Sequence, residues 1–435
     1  MQAKKMFFTA IIIIISSLSL SAQMIFGIMD KKGNVIIPAI YSELNDPKEG
    51  FYFVNTADGF VFIDSTGKKL NEKGYPSASG FSEGLAAVNV PETYLFGFIN
   101  TKNEWVIPAQ YEEVESFSNG LALIKKGKKY GFIDKTGKEV IACTYDRAWS
   151  FSEGLAVVEN NNNYSFIYPS GKEAFKVQHR ADSFQDGYAT IVNGYVQGVV
   201  NKAGNLVVPV KYNHVYPLNE GIFMVSHDSK YGYLDATGKE LTPLKYDQGQ
   251  SFSNGLAGVE INNKMAIIDK TGREIVPPQY KWAELGLALR EGLITVNNEE
   301  GWGFIDTKGK SIIPCKYSDA HDFAEGLAAV KTGEKWGFID KTGKEMIKSE
   351  YEDALAFSSG LVGVKVGEKW GFINKMGKMV IPATFVEAPS FVGDFAIVQE
   401  GETNFLMDKT GKKLKPIAAK QLWATENGVY QLVTW

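Results

Sequence analysis

The chain has 435 residues, 46 of them lysine or arginine and 50 aspartate or glutamate, for a formal net charge of −4, and it contains only two cysteines, Cys143 and Cys315. A nucleic-acid binder would carry a basic stripe, and a small disulfide-stapled secreted domain would be rich in cysteine. Evenly mixed charge excludes the first class and cysteine usage the second, so stability has to come from buried apolar surface.

At the N-terminus, Lys4 and Lys5 precede an apolar core from Met6 to Ile15 and small residues ending in Ser21 and Ala22. That is the three-part pattern of a secretory signal peptide, with a core too short to span a bilayer. Residues 1–22 are read as a signal peptide, although Leu20 is larger than the cleavage rule prefers at its position. The mature protein is expected to be exported, periplasmic or at the cell surface, with no membrane insertion after cleavage.

From residue 23 to residue 435 one phrase recurs in altered spellings, such as "KYGFIDKTGKEV" from Lys129 and "KWGFIDKTGKEM" from Lys335. Its central position falls at 27, 61, 97, 131, 165, 198, 232, 266, 303, 337, 371 and 405, which defines twelve units. Glycine fills that slot in eight units, and six residues later a second glycine is missing only at Asn103. Three residues before the second glycine stands Asp or Asn, except at Tyr168. D-x-x-G is the chemistry of a type I turn, the acid accepting a backbone hydrogen bond and the glycine relaxing φ. One carboxylate per turn does not make a calcium site, which needs several oxygens converging on one ion.

Three strands per unit follow: A, as in "GLAAVK"; B, as in "KWGFID"; and C, as in "KEVIP". A proline in C, present in eight units, requires that strand to end, bulge or lie at a sheet edge. In B, Trp336 and Phe338 face one side and Gly337 and Ile339 the other, so both faces should be covered. Units must then stack, the first glycine giving a neighbouring strand or ring access to the backbone. Alanine at the second residue of A (Ala86, Ala122, Ala156, Ala189, Ala257, Ala328, Ala396) implies the close approach of another layer. Cys143 and Cys315 share one repeat position five units apart, which predicts two free, buried thiols.

The segments "WGFIDTKG" from Trp302, "WGFIDKTG" from Trp336 and "WGFINKMG" from Trp370 resemble the WG repeat (KWG repeat) family of bacterial β-repeat proteins. Earlier units replace the tryptophan with Phe26, Phe60, Phe96, Tyr130, Tyr164 or Tyr231, keeping the aromatic bulk. The resemblance implies an all-β tandem array and an interaction role, and little about activity. Twelve three-stranded antiparallel units fit either an open solenoid or superhelix, which is favoured, or a closed propeller-like ring. A chain that starts at a B strand and ends with an A strand is how a ring closes, whereas 34 residues is short for a four-stranded blade. The last segment, 412–435, reads as a degenerate terminal unit.

Only four histidines occur, and no HExxH, GxGxxG or phosphate loop is present, so catalysis, metal and cofactor binding are not expected. Departures from the repeat are the better pointers to a site. Units five and six deviate most: His179 replaces the usual tyrosine, Gln197 replaces the aromatic, and His214 follows Tyr212 by two. His179, Arg180, Gln197 and His214 form the candidate ligand-binding set, weighed against simple drift. Two insertions, 90–97 and 281–292, are further candidates as binding loops. The leading reading is a noncatalytic exported scaffold that binds a protein in the cell envelope. Its alternative is a glycan-binding protein using exposed Tyr and Trp, for which the aromatic column would have to lie outside the core.

Overall fold

A computed structural model describes residues 24–281, 289–425 and 429–434. Residues 1–22, read as a signal peptide, and residues 282–288 of the second insertion lie outside the described residues. The described residues form twelve small antiparallel sheets and no helix.

The unit around Trp336 shows the plan. Strand A runs Leu327–Thr332, strand B Lys335–Asp340 and strand C Glu345–Tyr351. A two-residue leading strand, Asp319–Ala320, adds to the free side of A, so the order across the sheet is leading, A, B, C. Nine of the twelve sheets have four strands, which corrects the three-stranded expectation. The leading strand is too short to show any alternation, and it follows C of the preceding unit almost without a loop, as Asp353–Ala354 follows Tyr351. That economy is how 34 residues carry four strands.

Strand C is both at the edge and bulged, as its proline requires. In the Trp302 unit, Trp302 is opposite Tyr317 and Phe304 opposite Ile313, so four residues of C match two of B, and Pro314 lies in the excess. The bulge explains the first glycine of the motif. A Cβ on Gly337 would stand 2.7 Å from the Ile347 carbonyl oxygen and 2.7 Å from the Ser349 nitrogen. The strand that needs the bare backbone is therefore the unit's own C strand.

Both faces of each sheet are covered. Phe338 packs with Ile347 of its own unit and with Phe357, Val362 and Ile373 of the next, while Ile339 packs with Phe323 of its own unit and with Phe304 and Ile313 of the preceding one. An edge-to-face ring pair crosses several of the joints, such as Phe338 with Phe357 at 5.1 Å and Phe304 with Phe323 at 4.8 Å. All seven alanines of the A-strand column are buried, the close approach their small size predicted.

The sheets succeed one another as a tandem array, and none closes on itself into a barrel. The two ends of the array nevertheless meet. One sheet takes Gln421–Ala424 and Tyr430–Thr434 from the C-terminal end and Ile25–Met29 and Val35–Tyr41 from the N-terminal end. Ile25 through Met29 pair in unbroken register with Thr434 through Tyr430. This shared sheet packs Met29 and Leu432 against Phe395 and Leu406 of the last unit, and Ile28 and Tyr41 against Tyr52 and Val54 of the next. The closure is the feature called for by the ring alternative.

Candidate functional site

The recurrent carboxylates are occupied by the backbone around them. Asp340 Oδ1 accepts from the Thr342 hydroxyl at 2.6 Å, the Thr342 N–H at 2.9 Å and the Lys344 N–H at 3.0 Å, and the Gly343 N–H donates to the Asp340 carbonyl at 2.9 Å. Gly343 has φ +83°, a conformation costly for any residue with a Cβ. The threonine hydroxyl, followed by the N–H groups, holds the Asp340 carboxyl below its ordinary range, and Asp64, Asp134, Asp235 and Asp408 behave alike. Among the described residues no three His, Cys, Asp or Glu side chains gather as a metal site.

A second acidic column joins neighbouring units. Glu153, in the turn ahead of strand A, accepts from the Gly187 N–H of the next unit at 2.9 Å and pairs with Lys202 of that unit at 2.9 Å. Glu83 does the same with Gly120 and Lys135, Glu220 with Gly255 and Lys270, and Glu325 with Gly360 and Lys375. These glutamates sit at φ between +50° and +55°, where a non-glycine residue is strained. In the sequence the F-S-E-G stretch reads as the opening of a strand; in the structure its glutamate is a latch between units.

The four candidate residues are placed as follows. Arg180 opens the leading strand Arg180–Ala181 and pairs with Asp182 at 3.2 Å. Gln197, in strand B of that sheet, accepts from the Val215 N–H at 2.9 Å and so ties its sheet to the next. Arg180 and Gln197 lie in one row, both opposite Val192. His214 starts the leading strand of the following sheet, exposed, its ring 6.2 Å from that of Tyr216. His179 is half-buried in the bend before Arg180. The structure brings Gln197 beside the His214 strand and Arg180 onto Asp182, and none of the four lines the grooves found elsewhere on the array.

The aromatic column is half-buried in seven of its nine units and buried in two. Trp336 and Trp370 are each 6% exposed, and Trp302 is half-buried against the same kind of cluster. Cys143 and Cys315 are free but half-buried rather than buried, because their repeat position lies in the exposed, bulged edge strand; burial still pushes both thiols up. The first insertion, 90–97, forms a wider A–B turn with Tyr94 at φ +57° and 68% exposed.

One aromatic groove of about 460 Å³ opens between the units of Tyr130 and Trp149 and is also lined by Glu113, Glu115 and Arg147. The Tyr130 hydroxyl donates to Glu113 at 2.8 Å, and Lys125 pairs with the same carboxylate. Hydrogen bonds from Lys125 and then Tyr130 keep the Glu113 carboxyl low. Tyr130 belongs to the aromatic column weighed for glycan binding, whereas none of His179, Arg180, Gln197 and His214 lines this groove.

The model of the WG containing repeat family matches ten segments: 26–58, 62–90, 96–130, 130–164, 198–231, 231–264, 266–300, 302–336, 336–370 and 370–403. No curated protein matches the chain. Among solved structures, the extracellular domain of a proposed hybrid two-component system from B. thetaiotaomicron has 9% identity and a TM-score of 0.30, covering 94% of this chain and 74% of its own. Apo AztD from Citrobacter koseri has 12% identity and a TM-score of 0.31, covering 64% and 96%. PorZ, a bacterial surface component of the type-IX secretion system of Porphyromonas gingivalis, has 10% identity and a TM-score of 0.27, covering 89% and 70%.

Proposed function

Because the chain belongs to the WG containing repeat family, we propose that it is a noncatalytic, exported scaffold that binds a protein partner in the cell envelope over a surface built from many units. The observation that carries this reading is the use of the recurrent polar groups: turn carboxylates are held by their own backbone, and the second acidic column is spent on the neighbouring unit. What remains free to differ is the row of strand starts and turns, where Arg147, Arg180 and His214 stand exposed.

Purified protein immobilised as bait tests it against envelope extract of the source cell. A partner retained by wild type and lost from a variant carrying Arg147→Ala, Arg180→Ala and His214→Ala supports the reading. Retention of nothing beyond what an unrelated exported β protein retains contradicts it.

A second reading, glycan binding, rests on the groove of Tyr130 and Trp149, since rings flanked by carboxylates and a guanidinium offer stacking and hydrogen bonding to sugars. Calorimetric titration with envelope oligosaccharides, wild type against Trp149→Ala, decides it: heat lost with the ring supports it, and equal or absent heat rejects it.

A further inference from the structure

The sheet containing strand A Phe395–Glu400, strand B Thr403–Asp408 and strand C Lys413–Pro416 has no leading strand. In other units the residue just after the leading strand donates its N–H to strand A: Leu355 to Gly363 O at 2.9 Å, His321 to Ala329 O at 2.9 Å, Trp149 to Val157 O at 3.0 Å. The corresponding residue here is Pro389, which has no N–H to give to Ile397. Residues 386–390 accordingly form no strand. Ala388 is exposed, whereas its counterparts Ala148, Ala181, Ala320 and Ala354 are buried, and Val386 is 70% exposed. Between the displaced segment, strand A and Gln421–Leu422 of the shared sheet lies a groove of about 520 Å³.

We propose that this groove takes an extended peptide from a partner protein, which supplies the missing leading strand by β-strand addition. The molecule's own complete sheets specify the occupant. It places a small apolar residue opposite Val398, as Ala148 lies opposite Val158, preceded by a residue opposite Gln399, as Arg147 lies opposite Glu159. Two carboxylates, Glu387 and Glu402, line the groove together with Lys420, which favours a basic residue at the first of those positions. Main-chain hydrogen bonds to residues 397 and 399 give affinity, and the small residue and the cation give selectivity. This assigns one site for the protein-binding reading and rests on it.

The test uses the full mature chain and a fluorescein-labelled peptide copying residues 144–151, TYDRAWSF, which contains a regular leading strand of basic character. Expected results are saturable binding by anisotropy, at least tenfold weaker binding when the peptide's Arg147 is changed to Glu, and slowed hydrogen exchange at the Ile397 and Gln399 amides with peptide present. Pro389→Leu restores the N–H, lets the chain's own segment fill the groove, and should weaken binding at least tenfold with the circular dichroism unchanged. Absence of saturable binding, no protection at Ile397 and Gln399, or chain dimerisation through this edge overturns the assignment. If envelope capture survives that result, the site fails while the scaffold reading stands; if both vanish, both fail.

Discussion

At the residue scale, the two glycines of the motif do different jobs, and substitution separates them. Gly337 lies under the bulge of strand C with backbone atoms 2.7 Å from where a Cβ would be. Gly337→Ala is therefore expected to cost about 3 kcal/mol, at the upper end for overpacking because backbone cannot swing aside as a side chain can. Urea unfolding measures it, and a loss under about 0.5 kcal/mol, the range of a neutral surface change, would show that the bulge is easily rearranged. The sequence placed this glycine in a close approach but not against which strand, because a bulge in C leaves no mark on the apolar pattern of B.

The turn aspartates give a pH dependence with a definite sign. Asp64, Asp235 and Asp408 are held low by the hydroxyls of Thr66, Thr237 and Thr410 and then by N–H groups. A folded-state pKa below the unfolded value means stability that is complete above the unfolded carboxylate pKa, about 4, and is lost as pH falls through the folded values. Melting temperature should be level from neutrality to about pH 5 and fall below about pH 4. Changing the three threonines to valine should flatten that fall; an unchanged profile would assign the acid sensitivity to other groups.

At the scale of elements, the latch glutamates show how a joint between sheets is made from a strained residue. Glu153 has φ +53° and reaches both Gly187 and Lys202. Glu153→Ala loses both bonds and keeps the strain, and is expected to destabilise by about 1 kcal/mol, since the ion pair is exposed and the net hydrogen bond modest. Glu153→Gly loses the same bonds but relieves the backbone, so its loss should be smaller. Equal losses, measured by urea midpoint, would mean that the left-handed conformation carries no cost here.

Legibility also divides at this scale. Strands A, B and C, the D-x-x-G turn, the edge position of the proline strand and coverage of both sheet faces were all readable, because each rests on period-two alternation or on a residue with one conformational use. The leading strand was not, since two residues have no period. For the same reason the Pro389 gap was invisible: a proline matters there only once the residues before it are known to pair. Of the four proposed site residues, Gln197 proved to be a tie between sheets, a role that its departure from the aromatic column could not by itself distinguish from binding.

At the scale of the whole molecule, cooperation between units follows from shared cores. Each cluster of buried side chains draws on two neighbouring sheets, as Phe338 packs with Phe357 and Val362 of the next unit, so no sheet completes its own interior. The shared terminal sheet extends this to the chain ends. The permuted start and finish, visible in the sequence, is realised in the pairing of Ile25–Met29 with Tyr430–Thr434. Short units accommodate it because the two-residue leading strand lets each carry a fourth strand.

The joining of eleven nested sheets end to end by a twelfth made from both termini is tested most directly by a disulfide. Ile25 and Thr434 are paired across the joint. In a chain with Cys143 and Cys315 changed to Ala, the variant Ile25→Cys with Thr434→Cys should oxidise to an intramolecular bond, seen by mass spectrometry, and raise the melting temperature relative to its reduced form. Failure to form that bond, while a control pair across an internal A–B ladder forms readily, would contradict the closure and leave the array open.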